Sequence, residues 1–158
     1  MDVKNSAATE SDARVLVITR IFDAPRSLVF KAWTDPQHIV RWWGPRGFTS
    51  TIVGKFGVWP GGTYRIHMHS AEGTDHWTQG IYREVVEPER LVMAGAWTDA
   101  DGKPISPETV TTITFEEHEG KTRLTLRNAG FESVAARDSH RGGWNSSLDR
   151  LAEYLAKA

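Results

Sequence analysis

The chain has 158 residues, a formal net charge of −1 from 19 basic and 20 acidic side chains, and no cysteine. Its length predicts one domain, with a hydrophobic core large enough to be stable without covalent cross-links. The absence of thiols excludes disulfides, cysteine nucleophiles and cysteine-ligated zinc, and without a basic excess we expect no nucleic acid partner.

The first segment, residues 1–12, is polar and mixed in charge, so we expect a disordered tail in front of a single domain over residues 13–158. This segment lacks the apolar core of a signal peptide, and no apolar run in the chain is long enough to span a bilayer. We therefore expect no membrane insertion and a cytoplasmic location.

The N-terminal part of the domain predicts one strand followed by two short helices. The predicted elements are a strand over Arg14–Phe22, a helix after Pro25, and a second helix from Pro36 to about Trp43. Val29 and Trp33 fall on one face of the first helix. Gly44 and Pro45 end the second helix.

The middle of the chain predicts consecutive strands joined by short turns. These strands are Phe48–Val58, Thr63–Ser70, His76–Val86, Leu91–Trp97, Thr109–Glu117 and Lys121–Asn128. In the second of them Tyr64, Ile66 and Met68 alternate with polar residues, which indicates one apolar face and one solvated face.

The C-terminal segment predicts a long amphipathic helix. One apolar stripe contains Trp144, Leu148, Leu151 and Leu155, and His140 lies on the same stripe one turn earlier. Consecutive glycines weaken a helix interior, so we expect the helix to begin near Gly143 or to kink there.

This order of elements predicts an α+β fold, in which a curved antiparallel sheet of six to seven strands wraps around the long C-terminal helix. The two short helices after the first strand are expected to close one mouth of the curved sheet. A twisted sheet around one helix leaves space where the helix does not fill it, so we expect an apolar cavity.

Several motifs resemble the Aha-like group, named after an activator of heat-shock protein 90 ATPase, within the START and birch-pollen-allergen (SRPBCC) superfamily. They are Ile21–Arg26, Val29–Pro36, Arg41–Pro45, Pro60–Gly62, Glu87–Val92, Thr112–Glu117, Thr122–Leu126, Gly130–Phe131, Gly143–Trp144 and Leu148–Leu151. The resemblance runs from about Val15 to Leu155. It implies a helix-grip fold with a cavity between sheet and helix, and it brings no universal catalytic motif.

Seven tryptophans are many for this length, and aromatic side chains are common in the walls of ligand pockets. The residues predicted to line the cavity are Trp33, Trp43, Tyr64, Met68, Trp77, Gln79, Trp97, His140 and Trp144. Of these, Tyr64, Gln79 and His140 would orient a ligand. The sequence leaves open whether Gln79 faces the interior or water, and which of Trp42 and Trp43 reaches the cavity.

Two other histidines, His67 and His69, share a strand face at a spacing that can chelate a metal. They lie opposite the predicted core face, so we expect them to be solvated and predict no metal and no cofactor.

Three functions compete at this point. The first is binding of a small hydrophobic or aromatic ligand by a monomer or weak homodimer. The second is an enzyme of the polyketide cyclase/dehydratase or hydrolase kind, with His140 as the acid–base group rather than a partly exposed helix histidine. The third is a protein-interaction role, a cochaperone-like contact with an Hsp90-type ATPase.

Overall fold

The computed structural model describes residues 14–157, and the tail predicted over residues 1–12 lies outside the described residues. The helices are α1 (Arg26–Thr34), α2 (Pro36–Ile39) and α3 (Val134–Lys157). The strands are β1 (Leu16–Phe22), β2 (Phe48–Ile52), β3 (Thr63–Ser70), β4 (Asp75–Val86), β5 (Arg90–Thr98), β6 (Thr109–His118) and β7 (Lys121–Ala129).

The strands form one curled antiparallel sheet in the order β1-β7-β6-β5-β4-β3-β2. Strands β2 to β6 each pair with the next strand along the chain, and β1 pairs with β7. The predicted α+β architecture, a curved sheet around a long C-terminal helix, is confirmed.

The core lies between the concave face of the sheet and α3. Tyr64, Ile66 and Met68 of β3 are buried as their alternation predicts. From the helix, the leucines of the predicted stripe, Leu148, Leu151 and Leu155, are also buried. Burial of such side chains contributes roughly 1.5–3 kcal/mol each.

Two predicted elements are shorter in the structure. Strand β2 ends at Ile52 rather than at Val58, because the chain leaves the sheet at Gly54, whose φ of 73° is left-handed. Helix α2 ends at Ile39 rather than near Trp43. Its start is as predicted, because the Asp35 side chain caps it by accepting a 2.8 Å hydrogen bond from the Gln37 amide.

Helix α3 is longer than predicted. It begins at Val134 and passes through Gly142 and Gly143 without a break. Ser133 stabilises its start, since the Ser133 hydroxyl accepts a 3.0 Å hydrogen bond from the Ala136 amide. This cap and the packing of the helix on the sheet outweigh the local cost of two glycines. Across residues 14–157, neither α3 nor any other helix has the length and apolarity needed to cross a membrane.

The two short helices fill one end of the concave face. Helix α1 buries Val29, Phe30 and Trp33. The Phe30 ring meets the Phe115 ring of β6 edge-on, with centroids 5.2 Å apart. Neither α1 nor α2 contributes a residue to the wall of the cavity described below. The cavity is bordered instead by Trp43, Gly44 and Pro45, which follow α2 in the chain.

Candidate functional site

A cavity of about 490 Å³ lies between the sheet and the N-terminal half of α3. Strands β3 and β5 supply most of its apolar floor, and the helix supplies the opposite wall. The side chains that line it include Tyr64, Met68, Met93, Trp97, His140 and Trp144. The exposed residues His76 and Glu132 border the cavity where it meets solvent. Its volume lies within the range of about 300–1,000 Å³ that is common for small-molecule sites.

Six of the nine predicted site residues border this cavity, and three do not. Those that do are Trp43, Tyr64, Met68, Trp97, His140 and Trp144. The other three, Trp33, Trp77 and Gln79, lie elsewhere in the fold.

Trp77 and Gln79 are on the convex face of β4, so their assignment to the cavity wall is wrong. In the register of the sheet the inward-facing Tyr64 pairs with Gly80, and directly paired residues share a face. Even-numbered β4 residues such as Thr78 therefore face inward. The Gln79 amide instead donates a 3.1 Å hydrogen bond to the carbonyl of Gly102, in the loop on the other side of the sheet.

Trp33 is 1% exposed and lies one layer behind the cavity wall. Its ring stacks on that of Trp144 with centroids 6.0 Å apart, and it meets the Trp42 ring edge-on at 4.7 Å. Trp42 is also fully buried, and its indole N–H donates a 3.0 Å hydrogen bond to the Ala32 carbonyl. Of the adjacent pair it is therefore Trp43 that reaches the cavity.

Tyr64 carries a hydroxyl group that is not committed to the protein. Among residues 14–157 we find no hydrogen-bond partner for it. Two glycines make room for this group, because a Cβ on Gly95 would stand 2.3 Å from the hydroxyl oxygen and one on Gly80 would stand 2.6 Å from it. Burial, reinforced by the Glu108 carboxylate, raises the pKa of the phenol, so Tyr64 remains a neutral hydrogen-bond donor.

His140 borders the cavity, but both of its ring nitrogens are engaged. The Trp97 indole N–H donates to His140 Nε2 at 2.9 Å, and His140 Nδ1 lies 2.9 Å from the Ala136 carbonyl oxygen. Because Nε2 accepts and Nδ1 must donate, the ring is neutral with its proton on Nδ1. This arrangement fixes the orientation of the Trp97 indole.

A second anchored tryptophan depends on Asn128, which the sequence reasoning missed. The Trp144 indole N–H donates a 3.3 Å hydrogen bond to Asn128 Oδ1. The Asn128 amide in turn donates a 3.0 Å bond to the hydroxyl of Thr111. Asn128 is in phase with the buried Leu124 and Leu126, so an amide on an apolar strand face was the signal available in the sequence.

The mouth segment, Trp43–Pro45, is held by an arginine that no local sequence pattern indicated. Arg150 of α3 donates hydrogen bonds to the carbonyls of Trp43, Gly44 and Pro45 at 3.3, 2.8 and 3.2 Å. The same guanidinium reaches the Arg41 carbonyl at 3.4 Å. Burial and the neighbouring Arg46 lower the pKa of Arg150, which stays charged because its ordinary pKa is so high.

Three side chains of the kinds that bind metal ions lie together outside the cavity, on the convex face of the sheet. The ligand atoms of His67, His69 and Asp75 all lie within 4.8 Å of one another. The two histidines face away from the core, and their side chains are 28% and 51% exposed.

Comparisons with known proteins bear on the fold. No curated protein matches the sequence significantly. A crystal structure of a protein from Chromobacterium violaceum is 26% identical with a TM-score of 0.80, and the match covers 89% of this chain and 95% of that one. The AHSA1 protein of Silicibacter pomeroyi is 25% identical with a TM-score of 0.79, over 90% and 97% of the two chains.

A more distant neighbour is DynU16, a protein of the dynemicin biosynthetic locus. It is 19% identical with a TM-score of 0.72, and the match covers 90% of this chain but 47% of DynU16. At that identity the likeness concerns the fold alone. A family model described as "Activator of Hsp90 ATPase homolog 1-like protein" matches residues 23–156. The chain therefore belongs to the family of Activator of Hsp90 ATPase homolog 1-like proteins.

Proposed function

We propose that the protein binds one small, largely apolar molecule between the sheet and α3, with the Tyr64 hydroxyl as its polar anchor. The observation that carries the proposal is the cavity of about 490 Å³, whose floor holds a buried phenol with no partner in the described chain. This hydroxyl can donate a hydrogen bond to an acceptor on a ligand in the cavity.

The walls of the cavity favour an apolar or aromatic ligand. Met68, Met93 and the rings of Trp97 and Trp144 line the cavity. Burial of apolar ligand surface contributes roughly 25 cal/mol per Å² before association costs are subtracted. The indoles are already oriented by His140 and Asn128, so little side-chain freedom is lost on binding.

A matched pair of glycine substitutions tests where the ligand binds. Gly143 borders the cavity, and a Cβ there would lie 3.9 Å from the Pro45 side chain, whereas a Cβ on the exposed Gly142 would meet nothing within 4 Å. We expect Gly143→Leu to obstruct the cavity and Gly142→Leu to leave it open. Titration of tryptophan fluorescence with a panel of hydrophobic and aromatic compounds provides the measurement, since Trp43, Trp97 and Trp144 border the site.

The expected result is a saturable response in the wild type and in Gly142→Leu, and a response at least about tenfold weaker in Gly143→Leu. Equal affinities in the two variants would contradict binding at this place. A wild type that responds to no compound in the panel would contradict the proposal as a whole.

The Tyr64 anchor has its own test. Tyr64→Phe removes one oxygen and keeps the ring that fills the floor of the cavity. A hydrogen bond contributes roughly 0.5–1.5 kcal/mol, so affinity for a phenol or ketone should fall about two- to tenfold. Affinity for a hydrocarbon of the same shape should stay the same or rise. If both ligands weaken equally, Tyr64 acts through packing and not through its hydroxyl.

The enzyme hypothesis receives less support from the geometry. An acid–base role for His140 requires a ring nitrogen free to exchange a proton with a substrate, and each nitrogen already has a partner at 2.9 Å. A turnover assay on bound compounds, compared between wild type and His140→Gln, distinguishes this hypothesis from binding alone.

The interaction hypothesis rests on the family name, which refers to an activator of Hsp90 ATPase. No contact surface in residues 14–157 singles out such a partner. An ATPase stimulation assay with an Hsp90-type chaperone separates this role from small-molecule binding, and we expect no stimulation.

A further inference from the structure

The convex face of the sheet carries a compact group of three side chains that has no part in the cavity. His67 Nε2 and His69 Nδ1 lie 2.8 and 2.6 Å from the same Asp75 carboxylate oxygen. All three side chains are partly exposed, between 28% and 51%. Two imidazoles and a carboxylate converge here on one point at the protein surface.

The backbone holds this group in register. His67 and His69 are two residues apart on β3 and therefore share a face, and Asp75 pairs directly with His69 across the β3–β4 ladder. A short turn with side-chain hydrogen bonds joins the two strands. The Ser70 hydroxyl lies 2.6 Å from that of Thr74 and accepts a 3.0 Å hydrogen bond from the Thr74 amide. The convergence is thus set by strand pairing and a short turn, not by flexible loops.

One imidazole is also fixed by packing. The Trp77 ring of β4, which pairs with His67, stacks on it with centroids 4.8 Å apart and an interplanar angle of 12°. This stacking restricts the plane of the imidazole, and in that plane Nε2 lies 2.8 Å from the Asp75 carboxylate oxygen. Histidine ligands of metal ions need such a fixed ring, because the lone pair must point at the ion.

The three ligand atoms lie within 4.8 Å of one another, so side-chain movements can bring them to the spacing that a transition-metal ion requires. In a tetrahedral site with metal–ligand bonds of about 2.0–2.1 Å, neighbouring ligand atoms are separated by about 3.3 Å. The two nitrogen–oxygen distances of 2.8 and 2.6 Å are hydrogen-bond lengths, and rotation of the exposed side chains would have to open them by about 0.5 and 0.7 Å to reach that value. A metal would replace the protons that now lie between these atoms.

We propose that His67, His69 and Asp75 form a surface binding site for a divalent transition-metal ion, with Zn²⁺ as the reference ion. Two imidazoles and one carboxylate are ligands for zinc and its borderline neighbours, whereas Mg²⁺ and Ca²⁺ prefer all-oxygen sites. Three protein ligands leave a fourth position that faces solvent. The metal site and the cavity lie on opposite faces of the sheet. The metal site therefore does not depend on the ligand binding proposed for the cavity.

Isothermal titration calorimetry of tag-free protein with Zn²⁺ tests the proposal. The wild type should bind one zinc ion per chain and show no comparable binding of Mg²⁺. Loss of a group that only supports a metal ligand already costs roughly 10–100-fold in affinity, so removal of a ligand itself, in His69→Ala or Asp75→Ala, should weaken zinc binding at least about tenfold. His118→Ala is the matched control, because it removes a histidine at the far end of β6 and should leave zinc binding unchanged.

Imidazole ¹⁵N resonances provide a second readout that needs no variant. Zinc should shift His67 Nε2 and His69 Nδ1 and leave the rings of His38, His118 and His140 unaffected. The proposal is overturned if the wild type shows no saturable binding, if His118→Ala loses as much affinity as His69→Ala, or if zinc shifts the resonances of His38, His118 or His140. In that event the three residues are a hydrogen-bonded surface trio only.

Discussion

The two halves of helix α3 face the same sheet but meet it in different ways. The C-terminal half presents Leu148, Leu151 and Leu155, which are at most 7% exposed and fill the space in front of them. The N-terminal half presents Trp144 together with small or polar residues such as Ala136, His140 and Gly143, and the cavity lies in front of it. One continuous helix is thus a core element along half of its length and a cavity wall along the other half.

The difference follows from side-chain volume. The distance between a helix and a curved sheet changes gradually, so leucines close the gap where they occur and small residues leave it open. The aromatic cluster of Trp33, Trp42 and Trp43 stands at the boundary, where the packed end meets the cavity. The open end is therefore encoded by the absence of large aliphatic residues between Val134 and Ser147.

The largest expected effect is in the packed half. Leu151→Ala removes a fully buried side chain and should lower the free energy of unfolding by about 2–5 kcal/mol, through lost burial and the void left behind. Ser147→Ala, on the cavity side, should change it by less than about 1 kcal/mol. Urea denaturation measures both. Similar losses at the two positions would contradict the contrast between the halves.

The next effect concerns the link between the two regions. Arg150 lies in the packed half but hydrogen-bonds to the carbonyls of the mouth segment, Trp43–Pro45. Arg150→Met removes these bonds to a charged donor and should cost roughly 1.5–3 kcal/mol. Amide hydrogen exchange should accelerate at Trp43 and Phe48, while the amides of β1 stay protected. Uniform acceleration over the whole chain would mean that Arg150 supports global stability only.

A smaller effect, of opposite sign, is expected at the two helix glycines. Gly142→Ala and Gly143→Ala should each stabilise the protein by about 0.5–1 kcal/mol, because glycine in a helix interior is less favourable than alanine. Both positions have space for a Cβ. Thermal unfolding of the single and double variants measures the gain. A loss of stability at either position would indicate that the helix does not continue through the pair as described.

The smallest effect is a pH dependence at the surface of the packed half. The hydrogen bond from Arg46 lowers the pKa of Glu153 below its ordinary value of 4.5. Stability from this pair is therefore complete above that ordinary pKa and is lost as the pH falls through the lowered one. Relative to Glu153→Gln, the wild type should be slightly more stable at pH 6 and equally stable near pH 2. A difference that grows on acidification would contradict this sign.

The architecture was predictable because local sequence patterns determine most of its helices and strands. The alternation in β3, the apolar stripe of α3 and the Asp35 cap before Pro36 each specify an element without knowledge of the rest. Errors occurred where non-local packing outweighs a local signal. Gly142 and Gly143 predicted a break, but the packed helix tolerates them.

The site was predictable only in part, because the face of a strand is decided by its neighbours. In β4, Trp77 and Gln79 were assigned to the cavity although pairing with β3 directs them outward. Asp75 was not linked to His67 and His69, because strand β4 was expected to begin one residue later. Arg150 and Asn128 act on residues far away in the chain, and a single sequence does not contain that pairing.

The central claim, that the open half of the concave face accommodates an apolar guest, is best tested with methionine methyl NMR. The chain has three methionines, and two of them, Met68 and Met93, border the cavity from different strands. On addition of a small aromatic ligand to protein labelled with ¹³C at the methionine methyl groups, we predict saturable shifts of these two signals and none of Met1. Unchanged signals for Met68 and Met93 at saturating ligand, or equal shifts of all three, would contradict it.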